Sequence, residues 1–409
     1  MRTRRWMAAV TAAILLGCSS AVVDPTARDA VPTPRPAIAK RVTQLGRPAA
    51  APTPVPGLAA DLEVATLDAA TSDSILSFIS TGSAIAFSSN LADDADPDAA
   101  PDLWRVTAGA DPEPELLWRN PNRDHSLTAL AGDLDAIAFV DIPTTGERAW
   151  QLWIVPGDGA PALLDEHPGD AEVPSLVPSI SVYWPVVVWT AFDIGPAGPV
   201  SQLLTASAPD WTPELLLERD AAVSELWLPS VQETTVAFTE VVYGPDRTTD
   251  ERRAYLWRFD DPSSEPMRLD GSGLATMPQL VGLDTVVWKE ADPGFNMFNW
   301  GRLFRHDVGS GAATPMFLGA QQEYVNYPSA GSRFVAWWGS NTAEFGIYDL
   351  AREAVRTVER YEPTGSEAVL RAHVHGDLLA WLYIDDPPIG ETIVELRYAE
   401  LPTLKELDR

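Results

Sequence analysis

A short apolar run that ends in an aromatic residue recurs seven times along the chain, at intervals of 44 to 52 residues. LDTVVW at residues 283–288 is one copy, and AIAF, VVVW and LLAW occur in others. The aromatic residues that end the seven runs are Phe87, Phe139, Trp189, Phe238, Trp288, Trp337 and Trp381. A fixed period of this length is typical of an architecture that repeats one supersecondary unit.

Each unit is long enough to form four short strands. In the fourth unit, WLPSV precedes the aromatic run, and YLWRF and PMRL follow it. Runs of this kind, separated by Gly, Pro, Asp and Ser and without a long amphipathic helix, predict an all-β chain. We therefore predict a seven-bladed β-propeller of four-stranded antiparallel blades, with six or eight blades as the alternatives. Because the last unit ends early, we expect the segment Leu62–Leu67 to supply an outer strand and close the ring.

Residues 1–17 have the pattern of a secretory signal. Three arginines lead into an apolar run from Met7 to Leu16, which is shorter than the roughly 20 residues that span a bilayer. Leu15-Leu16-Gly17-Cys18 resembles the lipobox of bacterial lipoproteins, and this resemblance implies cleavage before Cys18 and lipidation of its thiol. A plain signal peptide, or one membrane span with an incidental cysteine, is the alternative. Arg4-Arg5 leaves twin-arginine export as a further one.

Residues 18–57 are predicted to form a flexible tether, and residues 58–409 the propeller. The tether contains eight prolines and no aromatic residue, which favours an extended chain. The whole protein has 58 acidic and 29 basic residues, a formal charge of −29. This charge argues against nucleic acid, because phosphate binding needs Lys and Arg to displace counterions.

The first unit, residues 79–106, resembles the TolB-type, WD-like propeller repeat of bacterial envelope proteins. The shared pattern is a tight turn, the apolar strand AIAF, a polar loop and then the sequence DLW. The resemblance extends over residues 62–409 and is strong in units one, two and four. The Ser-Pro-Asp-Gly turn of the family is missing, and pairs such as Gly132-Asp133 stand in its place. The resemblance implies a propeller fold in a cell-envelope protein.

The long loops of the predicted propeller lie on one face. In an antiparallel blade, the connection from the second to the third strand shares a face with the connection to the next blade; we call this the decorated face and the opposite one the tight-turn face. The long connections are Asn90–Pro101, Asp193–Val200, Tyr243–Ala254 and Asp292–Gly301. Loops on a rigid scaffold commonly carry function, so we expect a binding site on the decorated face.

One of these loops, DPGFNMFNWG at 292–301, is rich in apolar side chains. Phe295, Phe298 and Trp300 are the predicted partner-binding residues, since aromatic side chains often anchor protein or carbohydrate contacts. The alternative is that these side chains fold back to plug the channel or cap a blade.

Two patterns suggest metal ligands. Asp94, Asp96, Asp98 and Asp102 lie in one acidic loop and form a candidate calcium site; because the EF-hand spacing is absent, a solvated acidic loop is the alternative. His373 and His375 are two residues apart on a strand, so their rings face the same way. A histidine pair at a blade turn is the alternative there.

No signature of an enzyme is found in the sequence. It lacks a Gly-x-Ser-x-Gly elbow and a cysteine other than Cys18. We predict a membrane-anchored lipoprotein of the cell envelope, on the outer membrane or the outer face of the cytoplasmic membrane, that binds or scaffolds envelope proteins. The alternative is a propeller glycosidase or lyase that cleaves envelope polysaccharide with channel carboxylates.

Overall fold

The computed structural model describes most of the propeller. The described residues are 64–67, 77–89, 101–109, 113–122, 124–144, 149–157, 159–169, 176–245, 250–291, 301–308, 312–316, 326–338, 344–360, 367–385 and 393–402. These residues form 28 strands in seven four-stranded antiparallel sheets and contain no helix. The prediction of an all-β propeller with seven blades is confirmed.

Each of the first six blades takes four consecutive strands, ordered from the channel outward. Blade one is β2 Ser77–Ser80, β3 Ala84–Ser89, β4 Asp102–Thr107 and β5 Glu115–Trp118; blade two is β6 His125–Gly132, β7 Ala136–Pro143, β8 Trp150–Pro156 and β9 Ala162–His167; blade three is β10 Ile180–Tyr183, β11 Val186–Gly195, β12 Gly198–Ser207 and β13 Glu214–Asp220. Blade four is β14 Ser224–Gln232, β15 Thr235–Tyr243, β16 Asp250–Arg258 and β17 Met267–Arg268; blade five is β18 Ala275–Val281, β19 Thr285–Ala291, β20 Gly301–Asp307 and β21 Ala312–Pro315; blade six is β22 Asn326–Ala330, β23 Phe334–Trp338, β24 Glu344–Asp349 and β25 Ala354–Arg360.

The seventh blade joins the two ends of the propeller. It consists of β26 Glu367–His375, β27 Leu378–Asp385, β28 Ile393–Glu400 and, on its outer edge, β1 Ala65–Thr66. Ala65 pairs with Tyr398 and Thr66 with Arg397, and the innermost strands of blades one and seven are in contact. The predicted closure by Leu62–Leu67 is therefore confirmed for its described part.

The repeated aromatic run forms the second strand of every blade. Trp288 of β19 and its neighbours Val286 and Val287 are fully buried. Val286 and Trp288 pack on blade four, whereas Val287 packs on blade six, because side chains alternate across a strand. Each blade is therefore apolar on both faces, and the core of the protein lies between the blades.

Hydroxyl groups of the innermost strands connect successive blades. The Oγ of Ser181 accepts a hydrogen bond from Val231 N–H, and the Oγ of Ser230 accepts one from Leu280 N–H, both at 3.0 Å. In each pair, donor and acceptor are 50 residues apart, so one bond recurs with the period of the repeat. These bonds satisfy buried backbone groups that the sheets leave unpaired.

Several of the innermost strands contain a proline. Pro229 lies within β14 and Pro278 within β18. The residue before each proline, Leu228 or Met277, has a positive φ of 51° or 56°, and the pairing register shifts at this point. A bulge of this kind accommodates proline because the bulged residue does not take part in the ladder.

Candidate functional site

The strongest candidate site is an apolar patch on the decorated face, where blades three and four meet. Phe192 of β11 and Trp227 of β14 are in edge-on contact, with ring centroids 6.2 Å apart and planes at 63°. With Ala221 and Val241 they form a buried cluster separate from the main inter-blade cores. Leu176, Leu228 and Tyr243 are partly buried against the cluster.

Two exposed aliphatic residues follow members of this cluster in the chain: Ile194 comes two residues after Phe192, and Val223 two residues after Ala221. Ile194 is 46% exposed and Val223 is 54% exposed. Ile194 pairs with Pro199 across the hairpin, and the carbonyl of Pro199 accepts the N–H of Ala221 at 3.0 Å. Ile194 thus pairs with one residue of this hydrogen bond, and Val223 follows the other by two positions. We use the name apolar patch for Phe192, Ile194, Val223, Trp227 and Tyr243.

The hairpin of blade three projects the patch outward. The segment Asp193–Val200, expected to be a loop, is a ladder that continues to the pair Gly195–Gly198. Gly198 has φ of +136°, a conformation that L side chains rarely adopt. Because side chains alternate along β11, Phe192 and Ile194 lie on the same face of the hairpin.

Carboxylates surround the patch. Asp193 and Asp220 are exposed, and each is fixed by a backbone contact: Asp193 Oδ1 accepts Ile194 N–H at 2.7 Å, and Asp220 Oδ1 accepts Ala222 N–H at 2.9 Å. Glu225 Oε2 accepts the indole N–H of Trp227 at 3.1 Å. The site therefore combines an apolar floor with a negatively charged rim.

Most of the residues singled out from the sequence lie outside the described residues. This holds for the proposed lipidation site, the three aromatic partner-binding residues and three of the four calcium-ligand candidates, which are Cys18, Phe295, Phe298, Trp300, Asp94, Asp96 and Asp98. Their roles remain predictions. β19 of blade five, which precedes residues 292–300, ends on the same face as the apolar patch.

Asp102, the fourth calcium-ligand candidate, has a structural contact. It is the first residue of β4 and only 3% exposed. Its Oδ1 accepts the N–H of Asn120 at 2.8 Å, and Arg119 lies 3.8 Å from its Oδ2. This carboxylate fixes the connection that leads from blade one to blade two.

His373 and His375 lie on β26, at the seam between blades seven and one. The Nδ1 of His373 accepts the N–H of Ser80 at 3.1 Å. Burial, together with the nearby charges of Arg371 and His375, lowers the pKa of His373 to about 3. A ring nitrogen that accepts this bond has no lone pair left for a metal, and His373 therefore contributes to the closure of the ring. Among the described residues, no three His, Cys, Asp or Glu side chains are grouped as a metal ion requires.

Three buried carboxylates of the described residues are engaged in contacts within the fold. Asp141 receives an amide N–H of Asn122 at 3.1 Å and lies 3.0 Å from His125 Nδ1. Glu240 accepts Arg219 Nε at 2.8 Å, and Asp270 accepts Ala254 N–H at 3.0 Å. These contacts stabilise strands and connections.

Comparisons with known proteins support the fold. No family model matches the chain. No curated protein matches it. Solved structures that match include the β-propeller domain of the Trilobed protease from Pyrococcus furiosus, described as having an open velcro topology, with 10% identity and a TM-score of 0.53 over 81% of this chain and 96% of that one. TolB from Acinetobacter baumannii matches at 11% identity and a TM-score of 0.37, over 68% of this chain and 80% of that one. Oligogalacturonate lyase from Vibrio parahaemolyticus matches at 10% identity and a TM-score of 0.47, over 83% and 97%.

At such identities the similarity concerns the fold alone. In the present chain, β1 supplies an outer strand from the N-terminal side, so the ring is closed by this strand pairing. Within the part of the chain that the structure describes, no helix has the length and hydropathy needed to cross a bilayer.

Proposed function

We propose that this protein is a tethered β-propeller of the bacterial cell envelope that binds a protein partner through its decorated face. The observation that carries the proposal is the apolar patch, where the exposed Ile194 and Val223 are neighbours in the chain of the buried cluster that contains the Phe192–Trp227 contact. Exposed apolar side chains next to a buried aromatic cluster are typical of protein interaction sites. The proposed lipid on Cys18 and the proline-rich tether would hold this module at the membrane surface.

The path of the chain supports this arrangement. β28 ends at the tight-turn face, and β1 runs antiparallel to it, so Val64 lies at the tight-turn end of blade seven. Val64, the first described residue, is therefore at the face opposite the apolar patch. In a ring of seven, blades three and four also lie across the channel from blade seven. In this proposal the membrane anchor and the partner-binding site are on opposite sides of the propeller.

The proposal predicts that two charged substitutions in the patch abolish partner capture. The full-length protein with Ile194→Asp and Val223→Asp would be compared with the unmodified protein in a crosslinking pull-down from its own membranes. A buried carboxylate without a partner is strongly unfavourable in an apolar interface, so we expect the stoichiometric partner to be lost.

The matched control changes two aliphatic residues on the tight-turn face. Leu134 and Leu283 are 54% and 42% exposed, close to the values of the patch residues, and Leu134→Asp with Leu283→Asp should leave capture intact. Thermal unfolding of both double variants verifies that they fold. Capture that persists in the patch variant, or the absence of any captured protein with the unmodified chain, would contradict the proposal.

A further inference from the structure

The rim of the apolar patch restricts the chemistry of its partner. Asp193 immediately precedes the exposed Ile194, and Asp220 begins the turn that leads to Val223. Both carboxylates are exposed, and a hydrogen bond to the adjacent backbone holds each in place. Two negative charges are therefore fixed beside the two side chains that an apolar anchor would contact.

Arg219, the arginine next to Asp220, donates its hydrogen bonds to groups other than the rim carboxylates. Arg219 precedes Asp220 in the chain, but its Nε donates to Glu240 at 2.8 Å and its second guanidinium nitrogen to the carbonyl of Glu218 at 3.1 Å. Glu240 is only 5% exposed, so this ion pair points into the sheet of blade four. The charge of Arg219 is thus held by Glu240, and the rim keeps its negative potential.

The charge of the whole protein acts in the same direction. A formal charge of −29 attracts cationic segments over distances up to about a Debye length. An acidic or phosphorylated segment would be repelled, and its charges would meet Asp193 and Asp220 at the contact. Complementary charge around an apolar centre favours one class of partner and excludes the other.

We infer that the apolar patch binds a protein segment in which a large aliphatic or aromatic side chain is flanked by lysine or arginine. The apolar side chain packs against Ile194 and Val223. The flanking cations pair with Asp193 and Asp220 at the rim. This inference rests on the proposed function, because it specifies the partner of the same site.

The test uses random peptides displayed on phage and selected on the full-length protein, with removal of peptides that also bind the Ile194→Asp, Val223→Asp variant. The peptides that remain should contain a large apolar residue with lysine or arginine close to it. Binding of the most enriched peptide is then measured by fluorescence polarisation at low salt and at roughly 0.5 M salt, where screening extends to a few ångströms.

Removal of the rim charges should weaken this binding. Asn at 193 and 220 keeps an oxygen that accepts the same backbone N–H, so Asp193→Asn with Asp220→Asn removes charge and retains the local structure. We expect about tenfold weaker binding at low salt, since two exposed charge pairs are lost, and little difference at high salt. The matched control, Glu233→Gln with Asp284→Asn, removes two exposed charges from the tight-turn face and should bind the peptide as the unmodified protein does.

The outcomes separate this inference from the proposed function. Peptides that require Ile194 and Val223 but are neutral or acidic, or whose affinity is unchanged by the Asn variant, would overturn the inference and leave the binding face in place. If no enriched peptide depends on Ile194 and Val223, both are overturned.

Discussion

Replacing Asp349 with asparagine is expected to destabilise the protein by about 3–5 kcal/mol, the usual cost of removing one partner from a buried ion pair. Asp349 is fully buried in blade six, and Arg333 donates to both of its oxygens, at 2.8 and 2.6 Å. Arg356, 3% exposed, lies 3.3 Å from the same carboxylate. The variant removes the negative charge with which the guanidinium of Arg333 pairs and beside which the buried Arg356 lies. Chemical denaturation measures the change in the free energy of unfolding.

An exposed ion pair provides the control for this prediction. Asp260 accepts Arg258 Nε at 2.9 Å, but both side chains are largely exposed, and water already solvates the two charges. Asp260→Asn should therefore leave the denaturation midpoint nearly unchanged. If the two variants lose the same amount of stability, the buried cluster does not stabilise blade six as the structure indicates.

Replacing Lys289 with methionine is expected to stabilise the protein at pH 6 by about 3–5 kcal/mol. Lys289 of β19 is fully buried, and its stem packs where a Cβ on Gly301 would lie, 2.5 Å from Cγ. Burial, with a smaller effect of the charge on Arg252, lowers the pKa of Lys289 from 10.5 to about 7. Methionine retains the apolar stem and removes the ammonium group.

The gain in the free energy of unfolding from Lys289→Met should depend on pH. Below pH 7 the ammonium is charged in both the folded and the unfolded state, so the full cost of its burial is present. Between about 7 and 10.5 the unfolded state binds the extra proton, and the stability of the unmodified protein rises with pH. The gain from Lys289→Met should therefore shrink across this interval in urea titrations. Arg302→Met, at an exposed position on β20, is the control; a loss of stability in Lys289→Met at pH 6 would contradict the account.

The fold can be predicted from the sequence because the repeated residues are those that pack between neighbouring blades. Trp189, Trp288 and Trp381 recur where a strand is buried between two neighbours, and all three are fully buried. The early end of the last unit also predicts the closing strand, since an unpaired sheet edge needs a partner. The bulges before Pro229 and Pro278 are not apparent from the sequence, because a proline within a run normally indicates a strand boundary.

The candidate site is harder to predict from the sequence than the fold. Phe192 and Ile194 show the alternation of a strand, and this pattern could have extended the strand into the segment read as a loop. The contact of Phe192 with Trp227 arises only when blade four packs on blade three. Asp102 is likewise predicted to be a calcium ligand because it lies in an acidic stretch. Its hydrogen bond to Asn120 depends on the pairing of the outer strands, which the sequence does not reveal. Single-sequence patterns report periodicity but not contacts between blades.

The most direct test of the central claim is photocrosslinking of the full-length protein in its native membrane. A photoreactive amino acid would replace Ile194 or Val223 on the decorated face, or Leu134 or Leu283 on the tight-turn face. The account predicts a discrete crosslinked protein from positions 194 and 223 and none from positions 134 and 283. Crosslinking of the same protein from the tight-turn face alone would contradict the assignment of the binding face.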